Sequence, residues 1–187
     1  TAPASTATPK PPLEKDAWMQ MPVVPVGVSE SMREVYQRGI ESGNDPTHFS
    51  IIGDCQNVSS YFLSVFDTPG EYSLGSEYEY LQPTIDYFSG SYRRKSLAAK
   101  IGLSTAGVLA SLWSDWKQCG SNETPLDCEY RINRPSFAII SLGTNEAYDI
   151  KKDRAPFEPR LRRIIAHSID QGVVPILSTK ADNDEGD

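Results

Sequence analysis

Two continuous apolar runs, Phe49 to Ile52 and Phe137 to Leu142, each stop abruptly at a glycine, Gly53 and Gly143. An unbroken run of this length suits a strand buried on both faces, because neither side of its sheet meets water. Such strands belong to parallel sheets covered by helices, so the chain between them must provide the cover. Phe157 to Gln171 carries Leu161, Ile164, Ile165 and Ile169 at helical spacing, and Gly172 turns it into a further apolar run, Val173 to Leu177. Gln56 to Phe66 is polar and then apolar-periodic, which predicts a helix directly after the first strand. Tyr92 to Ile101 is expected to be a strand, followed by Gly102 and a helix carrying Val108, Leu109, Leu112, Trp113 and Trp116. Four strands alternating with helices predict an α/β fold, a doubly wound parallel sheet joined by right-handed crossovers.

The remaining segments are arranged around that unit. Thr1 to Pro12 is rich in Pro, Thr and Ala with almost nothing to bury, and reads as an extended linker, a tether of the kind that joins a secreted domain to its anchor. Residues 13–47 read as an N-terminal extension and a helix, and residues 48–187 as the α/β domain. The helix starts at Ser31, which has capping-box spacing to Glu34, presents Met32, Val35, Tyr36 and Ile40 on one face, and ends at Gly43. Asp67 to Phe88 is dense in tyrosine, with Glu77 to Phe88 expected to be helical although Pro83 lies inside it. Its rings either pack as core, the simpler reading, or wall a groove that stacks on a sugar or lipid.

Composition excludes several functions. The 187 residues carry a formal charge of −7, which argues against a nucleic-acid partner, and the cluster Arg93-Arg94-Lys95 is too short to reverse this. No apolar run reaches the roughly 20 residues of a membrane helix. No Cys or His pair has ligand spacing, and the acidic stretch Ala181 to Asp187 does not match the positions of a calcium loop, so neither a metal nor another cofactor is expected. Asn57-Val-Ser and Asn122-Glu-Thr are glycosylation sequons.

Three cysteines divide unevenly. Cys119 and Cys128 bracket a polar loop whose Gly, Asn and Pro can fold it back into a local disulfide, and that would place the protein in an oxidising compartment, secreted or tethered at the cell surface. The alternative is a pair of reduced thiols in an intracellular loop. Cys55 is left over. It follows the first strand at Gly53-Asp54, where an open parallel sheet binds its ligands, and a helix N-terminus there would favour its thiolate. Cys55 is therefore either a nucleophile or an inert buried thiol.

Three strand ends converge in this reading: Gly53-Asp54-Cys55, Gly102 within IGLSTAG, and Gly143-Thr144-Asn145-Glu146. Acyl transfer needs a nucleophile and donors aimed at the developing oxyanion, and the Cys55 N–H, the Gly102 N–H and the Asn145 amide can provide them. In order and spacing the blocks IIGDCQ, Gly102 and IISLGTNE resemble the SGNH, or GDSL, hydrolase family over roughly Ser50 to Lys180. The resemblance implies a three-layer α/β/α, flavodoxin-like sheet and hydrolysis of an ester of a glycan, lipid or small molecule. It places Cys55 where the family has its nucleophilic serine, with Asp54, Gln56 and Glu146 as supporting residues.

The departures also carry expectations. Cysteine replaces serine, Glu146 replaces the usual aspartate, and no Asp-x-x-His block occurs. His48 precedes the first strand and His167 lies within a helix, so neither is expected to act as the base. Two accounts follow: a sheet incomplete at its C-terminal edge, finished by a further segment or a second chain that brings the histidine, or a non-catalytic ligand- or carbohydrate-binding domain on the same fold.

Overall fold

The computed structural model describes residues 14, 17–147 and 156–179; the linker 1–12, the polar loop 151–154 and the acidic stretch 181–187 lie outside the described residues. Three parallel strands form one sheet: β1 (Asp45–Gly53), β2 (Pro135–Ser141) and β3 (Val174–Leu177), in the order β1-β2-β3. Ile52 pairs with Ile140, and Ile140 with Leu177, so the three carboxyl ends lie at one edge of the molecule. Strand alternation sends Ile52, Ala138 and Ile140 to one core cluster and Phe49, Ile51, Phe137 and Ile139 to another, which is why both runs are apolar on both faces, each with a single serine.

The first face is helical. α4 (Pro125–Asn133) starts at a capping box in which Thr124 and Asp127 satisfy each other's amides, with Pro125 in the first turn. It occupies the end of the stretch between Cys119 and Cys128 that the sequence suggests is all loop. α6 (Phe157–Asp170) buries Ile164 completely against the same cluster, as its periodicity predicts. A short helix, α3 (Thr105–Val108), joins them, followed by a single 3-10 turn at 111–113. The longer helix expected through Trp116 does not form, and Leu112 and Trp116 are 93% and 83% exposed.

The second face is covered by α1 (Glu30–Glu41) and by an aromatic layer. α1 is capped by Ser29, whose hydroxyl accepts from the Met32 amide, two residues before the expected cap. Its Tyr36 ring lies 5.6 Å from Phe137. Gly39 is needed here: a Cβ would sit 2.1 Å from the Gly172 carbonyl oxygen, so only glycine lets α1 approach the turn before β3. Residues 58–92 supply the rest as turns, 3-10 segments and α2 (Gln82–Tyr87), in which Pro83 falls in the first turn, where a missing N–H costs nothing.

Two further expected elements are corrected. Gln56 to Phe66 is not an α-helix: after a 3-10 turn at Cys55–Asn57 the chain runs in turns, and Leu63 adopts φ 61°. Phe62, Leu63 and Phe66 instead pad the aromatic layer, so packing has overridden the helical spacing. Tyr92 to Ile101 is not a full strand either; it lies along the free edge of β1 with one parallel bridge, Gly53 to Ala99. The reason is local: the Ser96 hydroxyl donates to the Ile51 carbonyl at 2.6 Å and accepts from the Ala98 amide at 3.0 Å, occupying groups a ladder would use.

Candidate functional site

The carboxyl end of β1 is shaped by a close approach. A Cβ on Gly53 would lie 2.4 Å from the Asn57 Cβ, so glycine is required for the chain to turn back over its own strand end. Asp54, fully buried, caps that turn by accepting from the Gln56 amide at 3.2 Å. Asn57 is 3% exposed, which removes the first sequon as a glycan acceptor in the folded protein, whereas Asn122 is exposed. Cys55 is a half-buried free thiol. It stands at a single 3-10 turn, not at the N-terminus of an α-helix, so the expected helix dipole is not there to favour its thiolate.

The Gly102 block is brought to the same end by backbone bonds. The Gly53 amide donates to the Ala98 carbonyl at 3.0 Å and the Lys100 amide to the Gly53 carbonyl at 3.3 Å. The turn that follows closes with the Leu103 amide on the Lys100 carbonyl at 3.1 Å, with Gly102 at φ 78°, in the region that favours glycine. Gly102 is exposed.

The third block joins the second directly. Gly53 is level with Ser141 in the parallel register, so Gly143 to Glu146, at the start of α5 (Thr144–Ala147), follow β2 at the end where Cys55 follows β1. The Asn145 amide donates to the Leu103 carbonyl at 2.8 Å, leaving its second N–H for another acceptor. The Glu146 carboxylate accepts from both the Thr105 amide at 2.6 Å and the Thr105 hydroxyl at 2.5 Å. Its other oxygen and the Thr144 hydroxyl are buried without a hydrogen-bond partner among the described residues. Thr105 was not evident as a site residue; the local signal was Ser104, which caps α3 by accepting from the Gly107 amide.

A buried clamp holds this assembly from behind. Glu129 on α4, fully buried, accepts from the Ser50 hydroxyl at 2.6 Å and the Leu97 amide at 2.7 Å, and pairs with Arg94 at 2.9 Å. Arg94 also donates to the Phe49 carbonyl at 3.0 Å. These bonds pin the segment leading to Gly102 against β1.

The two histidines lie elsewhere. His48 is near the start of β1, roughly 16 Å along the strand from Gly53, with Nδ1 3.0 Å from the Asn133 carbonyl and Nε2 3.8 Å from Asp45. His167, near the end of α6, lies 2.9 Å from Asp127 and stacks on Tyr130. A cavity of about 380 Å³ lined by Asn44, Arg134, His167 and Val173 opens beside His167, before the strands begin, at the opposite end from Cys55. Cys119 and Cys128 form a disulfide with Cα atoms 5.4 Å apart. Glu123 beside it is held at about 2 by its hydrogen bonds from Arg131 and the Gly120 amide. With these two sulfurs joined, they and Glu123 are not a free ligand set for a metal.

Comparison with family models, with curated proteins and with solved structures returned no match.

Proposed function

We propose that this chain carries the nucleophile and oxyanion blocks of an SGNH-like ester hydrolase acting on an acyl ester of a glycan, lipid or small molecule. One observation carries the reading: the Asp54-Cys55, Gly102 and Asn145-Glu146 blocks, distant in sequence, meet at the carboxyl end of one parallel sheet, tied through Lys100 to Gly53 and Asn145 to Leu103. That is where open α/β sheets place their ligands. The single bridge that sets the 96–99 segment beside β1, opposite β2, supports the flavodoxin-like reading.

In this mechanism the Cys55 sulfur attacks the ester carbonyl as a thiolate. The negative charge passes to the carbonyl oxygen, which the Cys55 N–H, the Gly102 N–H and the second Asn145 N–H receive. Collapse expels the alcohol as an alkoxide, which takes a proton from water, and leaves a thioester on Cys55. Water must then be deprotonated to release the acid, and both histidines stand at the other end of the sheet. The reading therefore requires a base from outside the described residues, and β3, the sheet's edge among them with Ile176 and Leu177 48% and 53% exposed, leaves a side open for an element that could bring it. The disulfide supports a secreted or surface-tethered setting.

The test is incubation with a chromogenic short-chain ester, read by mass spectrometry. A single acyl adduct at Cys55, absent in Cys55→Ala, is expected, with turnover far slower than acylation. Hydrolysis unchanged in Cys55→Ala would remove the nucleophile assignment. The position of the histidines favours a second reading, a non-catalytic ligand- or carbohydrate-binding domain, which predicts ligand retention with no adduct.

A further inference from the structure

The loop that begins at the Gly102 block exposes an apolar lip. Ile101 is 70%, Leu112 93%, Trp116 83% and Trp113 40% exposed. Trp113 is tied to the Gly102 turn. The Trp113 ring lies 3.8 Å from where a Gly102 Cβ would be and 3.4 Å from the Gly107 position, and Lys100 donates through Nζ to the Trp113 carbonyl at 2.6 Å. Leu112 and Trp113 share the 3-10 turn at 111–113. Two indoles and two aliphatic chains exposed within one loop mark a surface suited to an apolar partner.

Charge selects the partner. The chain has 25 acidic and 18 basic residues, yet this lip carries Lys100 and Lys117, and Lys95 lies near enough to Lys100 to act on its charge. Lys117 sits over the Trp116 ring, 5.4 Å from its centroid. One carboxylate, Asp115, lies among them and acts on Lys100 more strongly than Lys95 does; its oxygens accept from the Lys117 amide at 2.9 Å and the Gln118 side chain at 3.1 Å, bonds that leave its charge in place. Indoles and aliphatic chains flanked by lysines match the boundary between acyl chains and phosphate headgroups. A glycan fits less well, since neither Leu112 nor Ile101 offers a sugar a hydrogen bond.

We propose that the 100–117 loop is an interfacial anchor that docks the protein onto a lipid surface bearing anionic headgroups, next to Gly102. Docking stands on the loop alone. That an ester in this surface is the substrate rests on the hydrolase reading, and would narrow its substrate class to aggregated acyl lipids.

The experiment is co-sedimentation of the full chain with phosphatidylcholine vesicles, with and without phosphatidylglycerol, alongside tryptophan emission. Binding with a shift of emission to shorter wavelength is expected, tighter with phosphatidylglycerol and weakened by salt. Leu112→Glu and Trp116→Glu, both at exposed positions, should each weaken binding at least tenfold while leaving the thermal midpoint unchanged. Lys117→Glu should weaken binding to the anionic vesicles and leave binding to pure phosphatidylcholine largely intact. No binding by the parent chain, or equal binding by both glutamate variants, overturns the proposal. So does a concentration-dependent dimer that the same substitutions abolish, which would make a second copy the occupant. Cys55→Ala should bind vesicles as the parent does. Vesicle binding without any acyl adduct would count against the hydrolase reading and leave the anchor standing.

Discussion

The two faces of the sheet are packed by different means. The helical face combines the aliphatic residues Ile52, Ile140, Leu126 and Ile164 with one buried ion pair, Glu129 and Arg94, whose oxygens and nitrogens also serve Ser50, Leu97 and Phe49. The opposite face relies on ring contacts: Phe88 lies 5.7 Å from both Phe49 and Phe137, and Tyr92 lies 5.1 Å from Phe49, all nearly edge to face. A directional polar clamp has few alternatives and concentrates its stabilisation in one place. An aromatic layer built from turns spreads it over many small contacts. The difference teaches that the Gly102 block is positioned from the helical side, because Arg94 and Leu97 lie in the segment that leads to it.

This contrast can be broken most severely at Glu129. Glu129→Ala leaves the Arg94 guanidinium and the Ser50 hydroxyl facing an apolar gap, and a loss of about 3–5 kcal/mol is expected by denaturant unfolding. A loss under about 1 kcal/mol would mean that the clamp does not carry the helical face. Reduction of the Cys119–Cys128 bridge comes next. It closes a loop with a sequence separation of 9 leading into α4, so its removal should cost about 2–3 kcal/mol on the chain-entropy account. Alkylation before reduction should label only Cys55, and labelling of all three thiols would contradict the bridge.

The aromatic face should respond more mildly. Phe88→Leu keeps much of the apolar area but removes the edge-to-face pairs with Phe49 and Phe137, for an expected loss of about 1–2 kcal/mol. A loss as large as that of Glu129→Ala would erase the proposed distinction. On this face burial, with the nearby Asp67 charge, also pushes the Tyr92 hydroxyl up to about 12, so it should remain neutral beyond the pH at which exposed tyrosines ionise.

The smallest effect concerns Glu123, at the surface end of the helical face. Its carboxyl is lowered from 4.5 to about 2 by hydrogen bonds from Arg131 and the Gly120 amide. A depressed carboxyl contributes stability above its unfolded value, near 4.5, and loses that contribution as pH falls toward 2. Arg131→Ala should return the Glu123 midpoint toward the ordinary range in an NMR titration and flatten the pH dependence of stability in that window. An unmoved midpoint would mean that Arg131 is not the cause.

The same two faces differ in how legible they were in the sequence. α6 and the three apolar runs were legible because each obeys one period over enough residues to leave no competing arrangement. The aromatic face was not: the helical spacing of Gln56 to Phe66 is satisfied by Phe62, Leu63 and Phe66 entering the core from turns. A spacing shows which side chains seek burial, not the backbone that delivers them. The same limit applies to Val108 to Trp116, where the periodic residues Leu112 and Trp116 face water.

For the candidate site, sequence alone determined the residue types at the strand ends, Gly53-Asp54-Cys55 and Gly143 to Glu146, because apolar runs stopping at glycine mark where buried strands end. It also determined that Cys119 and Cys128 were near enough along the chain to pair. Only the tertiary structure decided that the Gly102 loop meets Asn145 through Leu103 and Glu146 through Thr105, that Cys55 heads a single 3-10 turn, and that both histidines lie at the opposite end. The physical reason is range: a strand end is set by neighbouring residues, whereas the Asn145 to Leu103 bond spans 42 positions and exists only once the sheet brings its strands into register.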